Sequence, residues 1–327
     1  MKNKQYFLVA FIFLFSCQMG GNRADAEQER IPSAEPKDPT KIYNLMGEEL
    51  PPKQLTEEAR AKHEKNLSIA RSNYEANPDS LDLVIWYGRR LAYLGRYLEA
   101  IDVFSAGLEK FPTSHKLRRH RGHRFITTRQ LEKAISDFEM AAFYSVNEEN
   151  AIEPDGLPNR LNKPLGNDKF NIWYHYGLAH YLSGRYDKAI SAYRKCMEFS
   201  DNNDLLTATS YWLFMTYKKI GNSALADELL NAISNEMDIV ENTAYLDLLL
   251  LFKGEKDVDK LMNNAFPEEG NIDPTLGYGI GNWYQQQGDT ERSNEIFLRI
   301  LDSSYWDAFG YIAAEAELVT AFPVPIS

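Results

Sequence analysis

Apolar and small side chains recur at helical spacing between residues 81 and 112. The stretch LDLVIWYGRRLAYLGRYLEAIDVFSAGLEKFP places small residues at Gly88, Ala100 and Gly107, and bulky ones at Leu91, Tyr97 and Phe104. In each half the apolar positions lie three or four residues apart, which predicts an amphipathic helix. Gly95 separates the halves, so the pattern predicts two short helices joined by a tight turn.

The same pattern returns 34 residues further on, at Gly122, Phe125, Leu131, Ala134, Phe138 and Ala141. A further strong copy begins near residue 170, and weaker copies begin near residues 207, 240 and 274. A helix is predicted before the array over residues 56–76, ended by Asn77-Pro78 because proline cannot continue it. A last helix, predicted over residues 305–318, should cap the open end of the array. We therefore expect about six helical repeats within residues 55–321.

This spacing resembles the tetratricopeptide (TPR) repeat, a 34-residue helix–turn–helix unit. The segments WYGRRLAYLGRY, RHRGHR, EPDGLPN and NIWYHYGLAHYLSGRY look like those of a subset of bacterial TPR proteins. The resemblance implies an all-α, TPR-like α-solenoid, a right-handed superhelix of helix–turn–helix repeats. It also implies that the first helix of each repeat lines a concave groove that binds a protein or peptide.

The first 17 residues have the features of a targeting segment. Lys2 and Lys4 precede an apolar run, and Leu14-Phe15-Ser16-Cys17 resembles the lipobox of bacterial lipoproteins. That resemblance implies a lipid on Cys17 and a lipid-anchored protein of the cell envelope, at the periplasmic face of the outer membrane if the source is Gram-negative. The alternative is an ordinary signal peptide, cut after a small residue such as Gly20 or Ala24.

Three segments lack a sustained apolar period. Residues 18–54 are rich in Glu, Pro, Asn, Gly and Lys, which predicts a disordered tether. Its apolar residues Ile42, Tyr43, Leu45 and Met46 could instead dock on the folded domain. Residues 145–169 contain Pro154, Pro158 and Pro164, so an irregular loop is expected inside the array. Such loops are uncommon in compact domains and are often functional. Residues 322–327 are a short tail.

Charge is unevenly distributed along the chain. The net charge is −11, and residues 197–327 contribute −15 from 22 acidic and 7 basic residues, which leaves +4 for residues 1–196. An acidic protein with one basic region argues against nucleic acid as partner. The basic region is HKLRRHRGHR, residues 115–124, which contains no acid.

The helices that carry these cations should face the groove. Its predicted lining is Arg89, Tyr93, Arg119, His120, His123, Tyr174, His175 and Tyr181. Arginine binds carboxylates through two parallel hydrogen bonds, and tyrosine supplies flat contact area. The sequence therefore predicts a protein or peptide partner that carries acidic or carboxylate groups.

Two alternatives remain open at the sequence level. Glu153 and Asp155 of the loop could fold back and pair with Arg89, Arg119 or Arg124. A second function class is an envelope enzyme or a small-anion or metal receptor, in which His120, His123, His175 and Asp155 would hold zinc. No phosphate loop, GxSxG, HExxH or paired CxxC motif supports an enzyme, and we expect neither a catalytic residue nor a cofactor. Cys196 is expected to be a buried packing residue.

Overall fold

The computed structural model describes residues 37–321. Within them the only β-structure is two isolated bridges, Tyr43 with Glu49 and Ile152 with Asn167. The helices are α1 (Glu57–Ala76), α2 (Leu81–Tyr93), α3 (Tyr97–Lys110), α4 (His115–Thr127), α5 (Leu131–Tyr144), α6 (Asp168–Leu182), α7 (Tyr186–Met197), α8 (Asn203–Lys219), α9 (Ser223–Leu230), α10 (Thr243–Lys253), α11 (Val258–Ala265), α12 (Pro274–Gln286), α13 (Thr290–Leu301) and α14 (Phe309–Ala321). The predicted all-α, TPR-like solenoid is confirmed.

Glycine and aromatic side chains hold the two helices of a repeat together. In the third repeat a Cβ on Gly177 of α6 would lie 2.6 Å from the ring of Tyr193 on α7. The same contact joins Gly88 to Phe104, Gly122 to Phe138 and Gly281 to Phe297. A side chain at these positions would separate the helices, because close-packed interiors leave no room for it. The small and bulky positions of the sequence pattern are therefore core contacts.

The turn between the two helices of a repeat requires a left-handed backbone. Gly95, Gly184 and Gly288 have φ values of 79°, 69° and 85° there. Arg129 takes this position in the second repeat with φ 60°. The left-handed conformation is less stable by about 1–2 kcal/mol for a residue that has a Cβ. Arg129 therefore needs a compensating interaction, and the last helix provides it.

Helix α14 does more than cap the end of the array, which corrects the prediction. It packs on α12 and α13 and also reaches α6 of the third repeat. Its Glu315 accepts two hydrogen bonds from the Arg129 guanidinium, at 3.0 and 2.6 Å. The ring of Phe309 lies 5.2 Å from that of His123 and 5.6 Å from that of His175. The C-terminal helix thus lies against helices that would line an open concave face.

Residues 37–54 are packed on the repeats, so the predicted tether is wrong for this part. Leu50 is buried, and Lys53 forms an ion pair of 2.6 Å with Asp307. The backbone N–H of Leu45 donates to Glu315. The remainder of the predicted tether, residues 18–36, lies outside the described residues, as do Cys17 and the tail 322–327.

The loop between α5 and α6 crosses from the first repeat toward the fifth. We call residues 151–163 the strap. Arg89 and Arg90 of α2 donate to the carbonyls of Pro154 and Gly156. At its other end, Asn159 donates to Glu241, just before α10. The strap therefore covers part of the surface formed by α2 and α4.

Candidate functional site

The cations of α4 fall into two groups. Some are paired with acids of neighbouring helices: Arg121 donates two hydrogen bonds of 2.7 Å to Asp137, and Lys116 lies 3.3 Å from Asp168. Ser114 caps the helix by accepting from the Leu117 amide, and Leu117 anchors it in the core. These pairs explain how a helix without any acid of its own folds. Arg119 and Arg124 have no acid partner on α5 or α6 and face a cavity instead.

Arg119 and Arg124 face a cavity of about 150 Å³ between α2, α4 and the strap. We call this cavity the arginine pocket; it is lined by Arg89, Ala92, Tyr93, Phe104, Arg119, His120, His123, Arg124 and Glu153. Three guanidinium groups and one carboxylate give it a net charge of +2 when its histidines are neutral. Such a site attracts anions.

Glu153 of the strap is the one acid of the pocket lining. Its Oε2 lies 3.2 Å from Arg119 Nε and accepts a hydrogen bond of 3.0 Å from Asn171. Arg119 and Glu153 are only 11% and 12% exposed. The Arg119 Nε–H nevertheless makes no hydrogen bond, because it is not directed at the oxygen. The alternative in which the loop folds back onto the arginines is therefore correct for Glu153, which forms an ion pair with Arg119.

Asp155, the other acid of that alternative, makes no ion pair with the three arginines. One of its oxygens is buried without a hydrogen bond, and burial raises the pKa of Asp155. Arg89 instead bonds the Pro154 carbonyl and the Tyr93 hydroxyl.

Within residues 37–321, the guanidinium of Arg124 forms neither a hydrogen bond nor an ion pair. It lies over the ring of Tyr97, 5.4 Å from the centroid. Asp307, whose charge favours the charged form of Arg124, is bound to Lys53 and to the Tyr97 hydroxyl. Burial lowers the pKa of Arg124, and Tyr97 acts in the opposite direction. Arg124 is thus a half-buried cation without a described counter-ion, and it lines a cavity.

The histidines of the site are neutral. Burial lowers the pKa of His120, His123 and His175 well below the usual value, and the neighbouring guanidinium groups lower it further. His120 Nδ1 accepts from Arg119 Nη1 at 2.9 Å, so its proton is on Nε2. In residues 37–321 no group of three or more His, Cys, Asp or Glu side chains could hold a metal ion, so these histidines and Asp155 do not form the zinc site considered above.

Three of the predicted groove residues are buried in the structure and do not line an open groove. Tyr174, His175 and Tyr181 are buried, and the Tyr174 hydroxyl bonds Tyr245 while the Tyr181 hydroxyl bonds Tyr278. Their placement on an open surface was wrong because α14 and the later repeats cover them. Arg89, Tyr93, Arg119, His120 and His123 remain together in the arginine pocket. Arg124 and Glu153 complete it.

Residues 170–203, which contain α6 and α7, match the family model of the tetratricopeptide repeat. The chain is similar to tetratricopeptide-repeat proteins. This agrees with the Gly177–Tyr193 contact and with the 34-residue period. No helix in residues 37–321 is long and apolar enough to cross a membrane.

Solved structures of other repeat proteins are similar to the chain. A tetratricopeptide repeat protein from Parabacteroides merdae is 16% identical, with a TM-score of 0.48, and the match covers 79% of this chain and 92% of that one. YrrB, described as a TPR protein with an unusual peptide-binding site, is 14% identical, with a TM-score of 0.39 and coverage of 76% and 97%. MamA is 16% identical, with a TM-score of 0.41 and coverage of 54% and 90%. No curated protein sequence matches significantly.

Proposed function

We propose that the protein is a lipid-anchored scaffold of the cell envelope that binds a protein or peptide partner through an acidic group placed in the arginine pocket. The observation that carries the proposal is Arg124, a half-buried cation that lines the pocket and whose charge no described side chain neutralises. Removing a charge from water, even in part, without giving it a partner costs stability. A partner carboxylate in the pocket would remove this cost and gain charge-assisted hydrogen bonds.

The chain segment that contains the strap supports a macromolecular partner. Five of the eight exposed large apolar side chains in residues 37–321 lie between residues 143 and 161: Phe143, Val146, Ile152, Leu157 and Leu161. Exposed apolar side chains that cluster in one region are typical of interaction surfaces. A partner that contacts the strap would therefore bury apolar area while its acidic group enters the pocket.

The partner would not lie along the full concave face. Helix α14 and the tyrosine contacts occupy the part formed by the third and later repeats, as Tyr181 with Tyr278 shows. The acidic group would instead enter at the first and second repeats, where Arg89 and Arg119 meet the strap.

Arg124→Gln is expected to reduce capture of the partner from envelope extracts by at least tenfold, because the substitution removes the free charge and its five donors. Arg71→Gln is the matched control, since Arg71 is an exposed arginine on α1 paired with Glu75. Capture by the wild type should also weaken as salt increases. Equal capture by Arg124→Gln and Arg71→Gln would contradict the proposed site.

Cys17→Ser is expected to move the protein from the membrane pellet to the soluble envelope fraction, because the proposed anchor is a lipid on Cys17. Fractionation followed by immunoblotting measures this distribution. Retention of Cys17→Ser in the pellet, with Cys196→Ser as control, would show that the attachment is made elsewhere.

A further inference from the structure

The side chains around the arginine pocket supply many hydrogen-bond donors and few acceptors. Arg124 has five N–H groups, none of them bonded within the described residues. The Tyr93 hydroxyl accepts from Arg89 and donates to no described group. The Arg119 Nε–H is buried without a hydrogen bond. The buried Arg119 donor is costly without a partner, and the unbonded donors of Arg124 and Tyr93 line the same cavity, so the pocket suits an acceptor-rich group.

The net charge of the pocket determines how much negative charge a ligand must carry to neutralise it. Three arginines against Glu153 leave two positive charges, since His120 and His123 are neutral. A single carboxylate would neutralise only one of the two and offers two oxygens. A phosphoryl group carries about two negative charges near neutral pH and offers three strong acceptor oxygens. The cavity of about 150 Å³ holds a group of this size but not a length of peptide backbone.

We infer that the arginine pocket is a binding site for a dianionic phosphoryl group, with Arg124, Arg119 and the Tyr93 hydroxyl as its donors. This inference rests on the proposed function, because it specifies the chemistry of the acidic group that the partner brings. A phosphorylated side chain of a partner and free inorganic phosphate share this chemistry. Arg124 would bind the oxygens through two of its N–H groups, the geometry that arginine favours for phosphate.

The strap helps to define the size of the site. Gly156 lies against α2 so closely that a Cβ there would be 1.5 Å from the Tyr93 hydroxyl oxygen. The strap backbone therefore closes over Tyr93, while Glu153 covers Arg119. The space that remains is next to Arg124, the one arginine of the pocket with no bonded acceptor. A phosphoryl group would fit there without displacing Glu153.

Isothermal titration calorimetry at pH 7.5 and constant ionic strength tests the inference on the full chain. The compounds are inorganic phosphate, acetate, a phosphoserine peptide and the same peptide with glutamate in place of phosphoserine. We expect phosphate to bind at least tenfold more tightly than acetate, or the phosphoserine peptide at least tenfold more tightly than the glutamate peptide. Phosphate binding as tight as that of the phosphopeptide identifies the free ion as sufficient, and preference for the phosphopeptide identifies a modified partner.

Variants connect the binding to the pocket. Arg124→Gln should lower the affinity for the more tightly bound of the two phosphoryl compounds at least tenfold. Tyr93→Phe, which removes only a hydroxyl, should lower it severalfold. Arg71→Gln should leave the affinity unchanged. Tighter binding of the glutamate peptide than of the phosphopeptide, with the same dependence on Arg124, would overturn the phosphoryl inference and leave the proposed function standing. No Arg124-dependent binding of any compound, together with unchanged partner capture by Arg124→Gln, would reject both.

Discussion

Glu315→Gln is expected to lower the free energy of unfolding by about 3–5 kcal/mol, the cost of leaving one member of a buried ion pair without its partner. Glu315 and Arg129 are 0% and 3% exposed, so water does not solvate the Arg129 charge that the substitution leaves without a partner. The substitution also weakens the contact of α14 with the second repeat. Urea-induced unfolding of the wild type and the variant measures the difference.

Glu198→Gln is the matched control, because Glu198 pairs with Lys195 on the surface, where both side chains are about half exposed. Exposed pairs contribute roughly 0–1 kcal/mol. Arg129→Gly should also destabilise the protein, but by less, since glycine relieves the left-handed backbone at this position. A loss for Glu315→Gln no larger than for Glu198→Gln would mean that α14 does not close the array as described.

Acidification is expected to destabilise the protein strongly through His120, His123 and His175. Their pKa values are lowered in the folded state, so below about pH 6.5 the unfolded chain binds protons that the folded chain does not. The stability that these groups contribute is present above that pH and is lost as the pH falls. Well below that pH, each histidine that stays neutral in the folded chain lowers the free energy of unfolding by on the order of 1 kcal/mol per pH unit.

The groups that face these histidines support this direction. Arg119 and Arg124 oppose their protonation, whereas Glu153 lies 3.9 Å from His120 Nε2 and favours it weakly. Urea unfolding at pH 7.5, 6.5 and 5.5 measures the slope. His123→Gln should reduce the dependence of the unfolding free energy on pH by the contribution of one histidine. An unfolding free energy that does not change between pH 7.5 and 5.5 would contradict the burial of these rings.

The repeats could be predicted from sequence because their determinants are local. Gly88 and Phe104 lie on adjacent helices of one repeat, so a fixed spacing along the chain reports their contact. Both ends of α1 were likewise predictable, since Thr56 caps its first turn and Asn77-Pro78 follows its last. Local patterns of this kind depend only on helix geometry and turn chemistry.

The return of α14 could not be predicted in the same way, because it joins residues 186 positions apart, Arg129 and Glu315. Two signals pointed toward it. Arg129 replaces a turn glycine, and Glu315 is a charge within the apolar helix YIAAEAELV. Each violates a local rule, and such violations often mark a long-range interaction or a functional site.

The arginine pocket was predictable only in part. The cations of α4 were visible in the sequence, and five of the eight predicted groove residues line the pocket. The sequence could not show which cations would pair with Asp137 or Asp168 on neighbouring helices and which would stay free. That distinction depends on the tertiary packing, and it places Arg124 rather than the whole groove at the centre of the site.

The stability of Arg124→Gln in the absence of any ligand tests the central claim most directly. Burial lowers the pKa of Arg124, and no described side chain pairs with it, so removing its charge should stabilise the protein. We expect the melting temperature to rise by about 2 °C, the lower end of the range for 1 kcal/mol, because the described part is longer than 250 residues. Arg119→Gln, which leaves Glu153 without its ion pair, should lower it. A melting temperature of Arg124→Gln below that of the wild type would show that Arg124 stabilises the fold and is not held free for a ligand.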